Sequence, residues 1–323
     1  MAVRTFPPTQ LLLDMAEREA LRAALGKALK EKEPLSRYTS ARIGGPAEFL
    51  TIAESADELA EQVRVAWQFG IRVTLLGGGS NVLVSDAGMR GLVVVNRAKG
   101  VEFQENGDAV SVWAETGANL GVLARQCIQR GYEGLEWAVT VPGTVGGAVY
   151  GNAGAHGGDM AGNLTMAEIL HHDGTVHEWS NAELEFGYRT SALKGHKSGH
   201  NLAVLGAELA LVRGDPEILL ARADEFVMHR RRTQPPGASI GSMFKNPPGD
   251  YAGRLIEAAG LKGKRIGHAE ISTLHANFFV NLGDCRAADV LSLIHLAHEA
   301  VQTRFGVDLE LEVELAGEWG GQC

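Results

Sequence analysis

The run IRVTLLGGGSN, residues 71–81, decides the fold, because an apolar stretch there turns into three consecutive glycines, a serine and an asparagine. Upstream, AEFLTIA (47–53) reads as a strand, and SADELAEQVRVAWQFG (55–70) has the spacing of an amphipathic helix starting at Ser55 and stopping at Gly70. The order is strand, helix, strand, glycine loop. In α/β architecture such a loop offers bare backbone N–H groups to a ligand. It is neither GxGxxG nor GxxxxGK[ST], so the two commonest nucleotide fingerprints are absent. Taken alone, the loop is either a ligand cradle or a plain turn.

A second stretch, VPGTVGGAVYGNAGAHGGD (141–159), changes that balance. It is too rich in glycine for regular structure, yet it carries apolar residues that a linker would lack. Two such stretches, each after an apolar segment, can cradle two sides of one extended diphosphate ligand. Glycine supplies 41 of the 323 residues, well above the usual ~7%.

With 45% hydrophobic and 21% charged residues, the composition is that of a folded globular protein and excludes a disordered or fibrous chain. A net charge of −9 argues against a nonspecific nucleic-acid binder, whose surface must attract phosphate. The three cysteines, Cys127, Cys285 and Cys323, contain no CxxC pair and suit a reducing compartment. The opening residues lack the apolar stretch of a signal peptide, and no segment is apolar for long enough to span a membrane. The expectation is a cytoplasmic protein without nucleic-acid, membrane or obligate protein partners.

Around the glycine loops the pattern alternates. A helix is expected over Gln10–Glu31, then strands in GLVVVN, VEFQENG and AVSVWAE, and a helix in LGVLARQCIQRG. Further strands follow in MAEILHHDG, TVHEWS and NLAVLGAELALV, then a helix in PEILLARADEFVMHRRR that ends before QPPG. The last third offers helices in AGRLIEAAG and ADVLSLIHLAHEAVQTRFG, a strand in HANFFVN, and a closing strand LELEVELAGEW alternating acidic and apolar residues.

Polar groups outside the glycine loops are ambiguous on their own. His171 and His172, or His295 and His298, invite a metal reading, but HLAHE is not HExxH and no third ligand is placed, so no metal is expected. His229–Arg232 is either a phosphate patch or a complement to a helix C-terminal dipole. Ser242 sits in a Gly-Ser turn without a GxSxG elbow. Glu312 alternates with Glu310 and Glu314 as on a solvated strand face.

In sequence order, YTSARIGGPAEF (38–49), LLGGGSNVLVSD (75–86), VPGTVGGAVYGNAGAHG (141–157), FGYRTSALK (186–194), QPPGASIGSMFKNP (234–247), AGRLIEAAGLKGKRIGHAEIS (252–272), HANFFVN (275–281) and LELEVELAGE (309–318) resemble the UDP-N-acetylenolpyruvoylglucosamine reductase family. The resemblance implies an α+β protein with the FAD-binding fold of the vanillyl-alcohol-oxidase type. Two lobes, 1–84 and 85–215, would hold FAD, and a smaller α/β domain, 216–323, the substrate.

Carried over position by position, the resemblance implies an FAD cradle of Gly77, Gly78, Gly79, Ser80 and Asn81 with Pro142, Gly143, Thr144, Gly146, Gly147, Asn152, Ala153 and Gly154, and with Thr39, Gly44 and Gly45 nearby. Arg189, Ser242 and Glu312 match the catalytic residues, and Tyr188, Asn246 and Lys262 are expected substrate contacts. Only 52 residues separate Arg189 from Ser242, so the Tyr-bearing lid loop of some members is expected to be missing. His268 departs from the glycine of many relatives.

The implied activity is peptidoglycan-precursor synthesis, in which NADPH reduces FAD and hydride then passes to the enolpyruvyl group of a UDP-sugar. Arg189 would pair with the substrate carboxylate, a protonated Glu312 would stabilise the enolate, and Ser242 would deliver the proton to carbon. Sugar or alcohol oxidases of the same fold, and a nucleotide-sugar-binding protein with vestigial loops, are the competing readings. Such oxidases commonly tether the flavin through His or Cys, and the loops here offer no obvious tether, although His156 lies close to NAGA.

Overall fold

The structure, a computed structural model, describes residues 15–195 and 202–320. In the first lobe the sheet runs Lys30–Pro34, Pro46–Ala53, Met89–Asn96, Val73–Leu76, with the last three strands mutually parallel. Helix Ala56–Gln68 covers it. Its start is set by Ser55, whose hydroxyl accepts the Glu58 N–H at 3.2 Å, and Leu59, Ala60, Val63, Ala66 and Trp67 form its buried stripe.

The second lobe is antiparallel, in the order Val176–Ser180, Leu164–His171, Leu202–Arg213, Ala109–Glu115, Val101–Asn106. Leu170, Ala203 and Leu205 of this sheet share a cluster with Leu59 and Val63, so the first-lobe helix is clamped between the two sheets. Fully burying a leucine or valine stabilises by about 1.5–3 kcal/mol, and this layer holds the lobes together. A third sheet, Ser239–Ser242, Phe278–Asn281, Ala269–Ile271, Arg265–Ile266, packs with helices Ala252–Ala258 and Ala287–Phe305. Its core also takes Ile43, Leu83 and Leu315, which seats this domain beside the first glycine loop. Finally Glu314–Ala316 returns to pair in parallel with Val82–Val84, directly after that loop.

Several expectations need correction. Residues 10–14 lie outside the described residues, and the first helix is Met15–Leu25, after which Lys30–Pro34 turns into an edge strand. The second glycine stretch does contain regular structure, the helix Val145–Gly151, stabilised by the Thr144 cap and by burial of Val145, Ala148 and Val149. Of the closing segment only Glu314–Ala316 is a strand. Met89–Asn96 is an interior strand of the first sheet, beyond the 84/85 boundary, because its Val residues pair on both sides. Helix Pro216–Thr233 buries Leu219 and Ala223 in the second-lobe core, not in the third domain. Between Arg189 and Ser242 the described residues 202–233 are one strand and this helix, joined by a short turn.

Candidate functional site

Backbone meets backbone where the two glycine stretches touch. A Cβ on Gly77 would lie 2.4 Å from Thr144 Oγ1, one on Gly78 3.1 Å from Gly143 Cα, and one on Gly79 2.3 Å from the Tyr38 carbonyl oxygen. Gly79 also has φ +58, in the left-handed region. Ser40 clamps the loop from the other side, its N–H to the Gly79 carbonyl at 3.0 Å and its hydroxyl to the Gly78 carbonyl at 3.2 Å. Ser80 Oγ donates to the Pro142 carbonyl at 3.3 Å. The carbonyls are thus engaged, whereas the amides of Gly78, Gly79, Ser80 and Asn81 have no partner among the described residues. A run of free N–H groups around a left-handed residue is a nest for an anion, and it fits the diphosphate of FAD.

The remaining expected cofactor residues divide. Thr39 is buried and folds its hydroxyl onto Ile43, donating to the carbonyl at 2.7 Å. It shapes the clamp. Gly44 and Gly45 pack against Val84 and Asp86, where a Cβ on Gly45 would fall 2.2 Å from the Asp86 carbonyl oxygen. That contact alone is enough to require glycine at 45. Gly146 closes on Thr116, and Gly147 donates to the Thr144 cap at 3.4 Å. Asn152 spends its whole side chain on protein: Nδ2 reaches Asp159 Oδ2 at 3.2 Å and the Gly187 carbonyl at 3.0 Å, and Oδ1 accepts from Ala161 N–H at 3.0 Å. Ala153 and Gly154 are likewise engaged, by the Ala148 and Ala153–Met160 backbone bonds and by Asp159.

A cavity of about 350 Å³ opens beside Pro142, lined by Asn119, Thr140, Arg125, Arg230 and Arg231. Arg230 donates to the Thr140 carbonyl, and burial lowers its pKa. The His229–Arg232 run therefore sets Arg230 and Arg231 on this cavity, with Arg230 the more buried. His156 stacks on Phe226 with ring centroids 4.0 Å apart. Desolvation first, and then His229 and Arg230, lower its pKa.

The three expected catalytic residues arrive from three parts of the chain. Arg189 occupies a tight turn closed by the Gly187 and Thr190 backbone bonds at 3.1 and 3.2 Å, with φ +57, which is costly for a non-glycine residue. Its Nε lies 3.1 Å from Glu312 Oε1 but out of line for a hydrogen bond, so this buried N–H has no acceptor among the described residues. Glu312 is held by its backbone. Its N–H donates to the Met243 carbonyl at 3.0 Å, and its carbonyl accepts from Asn81 Nδ2 at 3.1 Å. Ser242 immediately precedes Met243, half-buried, and Gly241 beside it approaches the Ser80 carbonyl oxygen, with 4.0 Å left for a Cβ. All three thus gather at the Gly77–Asn81 loop.

Burial pushes the Glu312 carboxyl above the ordinary carboxylate range, opposed by Arg189, Lys194 and Lys245. Desolvation outweighs the ion pair here because the Arg189 Nε–H does not point at the carboxylate. The neighbours Glu310 and Glu314, expected on a solvated face, are exposed but paired, with Lys245 and Lys194, each at 2.7 Å. Those two lysines, mostly buried, were invisible to sequence reading, since nothing in their spacing points to residues far along the chain.

Tyr188, 58% exposed, places its hydroxyl 3.4 Å from the Asn246 N–H, bridging the second lobe and the third domain. Asn246 Oδ1 accepts the Ala252 N–H at 3.1 Å and starts the following helix. Lys262 pairs with Glu257 at 2.8 Å. His268 is exposed, and its backbone rather than its ring makes the contacts, with Asp289 and Leu282. No group of three or more metal-ligating side chains occurs among the described residues. His298 pairs instead with Asp308.

Residues 47–180 match the FAD binding domain family, and residues 233–316 match the family of the UDP-N-acetylenolpyruvoylglucosamine reductase C-terminal domain. The chain is 48% identical to the UDP-N-acetylenolpyruvoylglucosamine reductase of Rubrobacter xylanophilus over 293 residues, 90% of this chain and 96% of that one. With the enzyme of the same name from Chloroflexus aggregans the identity is 44%, over 91% of this chain and all of the other. A crystal structure of that reductase from Thermus caldophilus superposes with a TM-score of 0.74 at 37% identity, covering 89% of this chain and 99% of that one. The expected α+β fold, two FAD-binding lobes plus a smaller α/β domain, is the one observed. A nested amide loop for a diphosphate, a carboxyl held above its usual pKa and reductases matched over nearly their full length agree, and the chain belongs to the UDP-N-acetylenolpyruvoylglucosamine reductase family of FAD-dependent oxidoreductases.

Proposed function

We propose that this protein reduces UDP-N-acetylglucosamine enolpyruvate to UDP-N-acetylmuramate in the cytoplasm, with NADPH as donor, and that Arg189, Ser242 and Glu312 carry the chemistry. Bound FAD would supply the hydride chemistry between NADPH and the enolpyruvyl methylene carbon. The neighbouring carbon and its carboxylate then gain negative charge. Arg189 directs its guanidinium at that carboxylate, and the acceptor-free Nε–H is the observation that carries this reading. Such preorganised donors contribute about 2.7–4 kcal/mol each.

Burial raises the pKa of Glu312 and so favours its protonated form, the form that donates a hydrogen bond to the enolate oxygen. The Ser242 hydroxyl gives its proton to carbon and is reprotonated from solvent. The amides of Gly78 to Asn81 hold the diphosphate of FAD, and Tyr188 with Asn246 borders the UDP-sugar. The lobe boundaries follow the sheets, near residues 97 and 234, and the third domain carries the substrate.

The test is NADPH oxidation followed by absorbance on adding UDP-N-acetylglucosamine enolpyruvate, with a simple sugar or alcohol as control. Turnover only with the UDP-sugar supports the proposal. Oxidation of the simple alcohol with oxygen, and no response to the UDP-sugar, refutes it.

A further inference from the structure

The catalytic arginine sits on a turn that should not hold itself. Gly187–Thr190 is closed by only two backbone bonds, it is exposed at Tyr188, and it carries Arg189 at φ +57. A left-handed non-glycine residue costs about 1–2 kcal/mol and persists where surrounding structure over-determines it. Two side chains supply that structure. Asn152 Nδ2 donates to the Gly187 carbonyl at 3.0 Å, and Ser191 Oγ donates to the Tyr150 carbonyl at 2.7 Å. Both are buried, at 5% and 3% exposure.

Tyr150 and Asn152 end the helix Val145–Gly151, whose other end is the Thr144 cap pressed against Gly77. Asn152 itself takes φ +43 as the left-handed cap of this helix, a conformation asparagine tolerates better than most residues. The helix is therefore a short strut. One end touches the diphosphate nest and the other grips the turn that carries Arg189.

We propose that Asn152 and Ser191 are positioning residues that set the distance between Arg189 and the flavin through this strut, and that Asn152 is not a cofactor ligand. The proposal rests on the reading of Arg189 given above. Its consequence is specific, because loosening the turn moves the guanidinium while leaving the nest intact. A displacement of about 1 Å at a reacting group can cost about 100-fold in rate.

The variant N152G keeps the left-handed cap accessible while deleting the side chain. On the holoenzyme, single-turnover kinetics should show NADPH reducing the flavin at the wild-type rate and substrate reduction slowed roughly 100-fold. Titration of the cofactor-free chain should give an unchanged FAD dissociation constant, while the Thr190 amide loses hydrogen-exchange protection. The double variant N152G/R189A should be no slower than R189A. Weakened FAD binding, equal losses in both half-reactions, or additive losses in the double variant would overturn the proposal.

Should N152G not fold, S191A removes the second pin without altering a left-handed residue. Its expected loss in substrate reduction is roughly 3- to 10-fold, and wild-type kinetics would overturn the proposal. R189A separates this from the underlying reading. If R189A itself reduces substrate normally, the role of Arg189 fails, whereas a crippled R189A beside a normal N152G or S191A rejects only the strut.

Discussion

Replacing Glu312 by Gln separates catalysis from stability in a way the ion pair alone does not suggest. The side chain is 16% exposed, its nearest cation is Arg189 Nε at 3.1 Å, and burial holds the carboxyl above its ordinary range. Gln is isosteric, and the two backbone bonds that hold this residue, to Met243 and from Asn81, do not involve the side chain. In the wild type, the stability Glu312 contributes is fully present below the ordinary carboxylate range. It is lost as pH rises through the raised folded-state value, because charging the buried group then costs more in the folded than in the unfolded chain. E312Q has no such loss, so its Tm relative to wild type should rise with pH. A conventional salt-bridge reading predicts the reverse, a variant less stable wherever the carboxylate is charged.

Catalysis moves the other way. Losing a preorganised donor at a developing oxyanion costs about 10²- to 10³-fold, and the Gln amide can still donate weakly, which puts E312Q near about 10² in the substrate-reduction step. That step should also lose the alkaline decline that deprotonation of Glu312 imposes on the wild type. Stopped-flow kinetics across pH, beside thermal denaturation across the same range, measure both. A variant with the wild-type rate and the wild-type alkaline decline would remove Glu312 from the mechanism, and a Tm deficit that grows with pH would reject the raised pKa.

Three further outcomes are expected. G79A combines a left-handed backbone with a Cβ only 2.3 Å from a carbonyl oxygen, so it should destabilise the fold by about 2–5 kcal/mol, read as a lower urea midpoint; an unchanged midpoint contradicts the loop geometry. Y188F removes the hydroxyl that meets the Asn246 N–H, and should raise the KM for the UDP-sugar with kcat little changed, since it touches the border of the site; a loss confined to kcat counts against this placement. Burial pushes the Cys127 and Cys285 thiols up to about 12, so neither should react with iodoacetamide near neutral pH until the chain is unfolded, and rapid native labelling of either, seen by mass spectrometry, contradicts their burial.

Much of the fold could be read from periodicity. Helix 56–68 announces itself through the Ser55 cap and an apolar stripe, and the strands of the second lobe alternate as half-buried strands do. The helix inside the second glycine stretch could not be read that way, because three of its seven residues are glycines and its stability comes from a cap and three buried side chains. Position of the interior strand 89–96 was also hidden, since sequential strands give no sign that a later one inserts between two earlier ones.

At the site, resemblance named Arg189, Ser242 and Glu312, but not what holds them. Lys194, Lys245 and the Asn152 grip on Gly187 link residues far apart in sequence, and spacing carries no signal of such contacts. Conversely Gly44, Gly45 and Asn152 lie in motifs shared with a cofactor-binding family, yet protein atoms account for them. A motif marks where a chain packs closely, and only geometry tells a ligand from a neighbouring strand.

The most direct test of the central claim is single-turnover kinetics of S242A. NADPH should reduce the bound flavin at the wild-type rate, and transfer to UDP-N-acetylglucosamine enolpyruvate should slow by roughly 10²- to 10⁴-fold. Equal slowing of both steps, or an unaltered second step, would contradict the assignment of Ser242 as the proton donor beside Arg189 and Glu312.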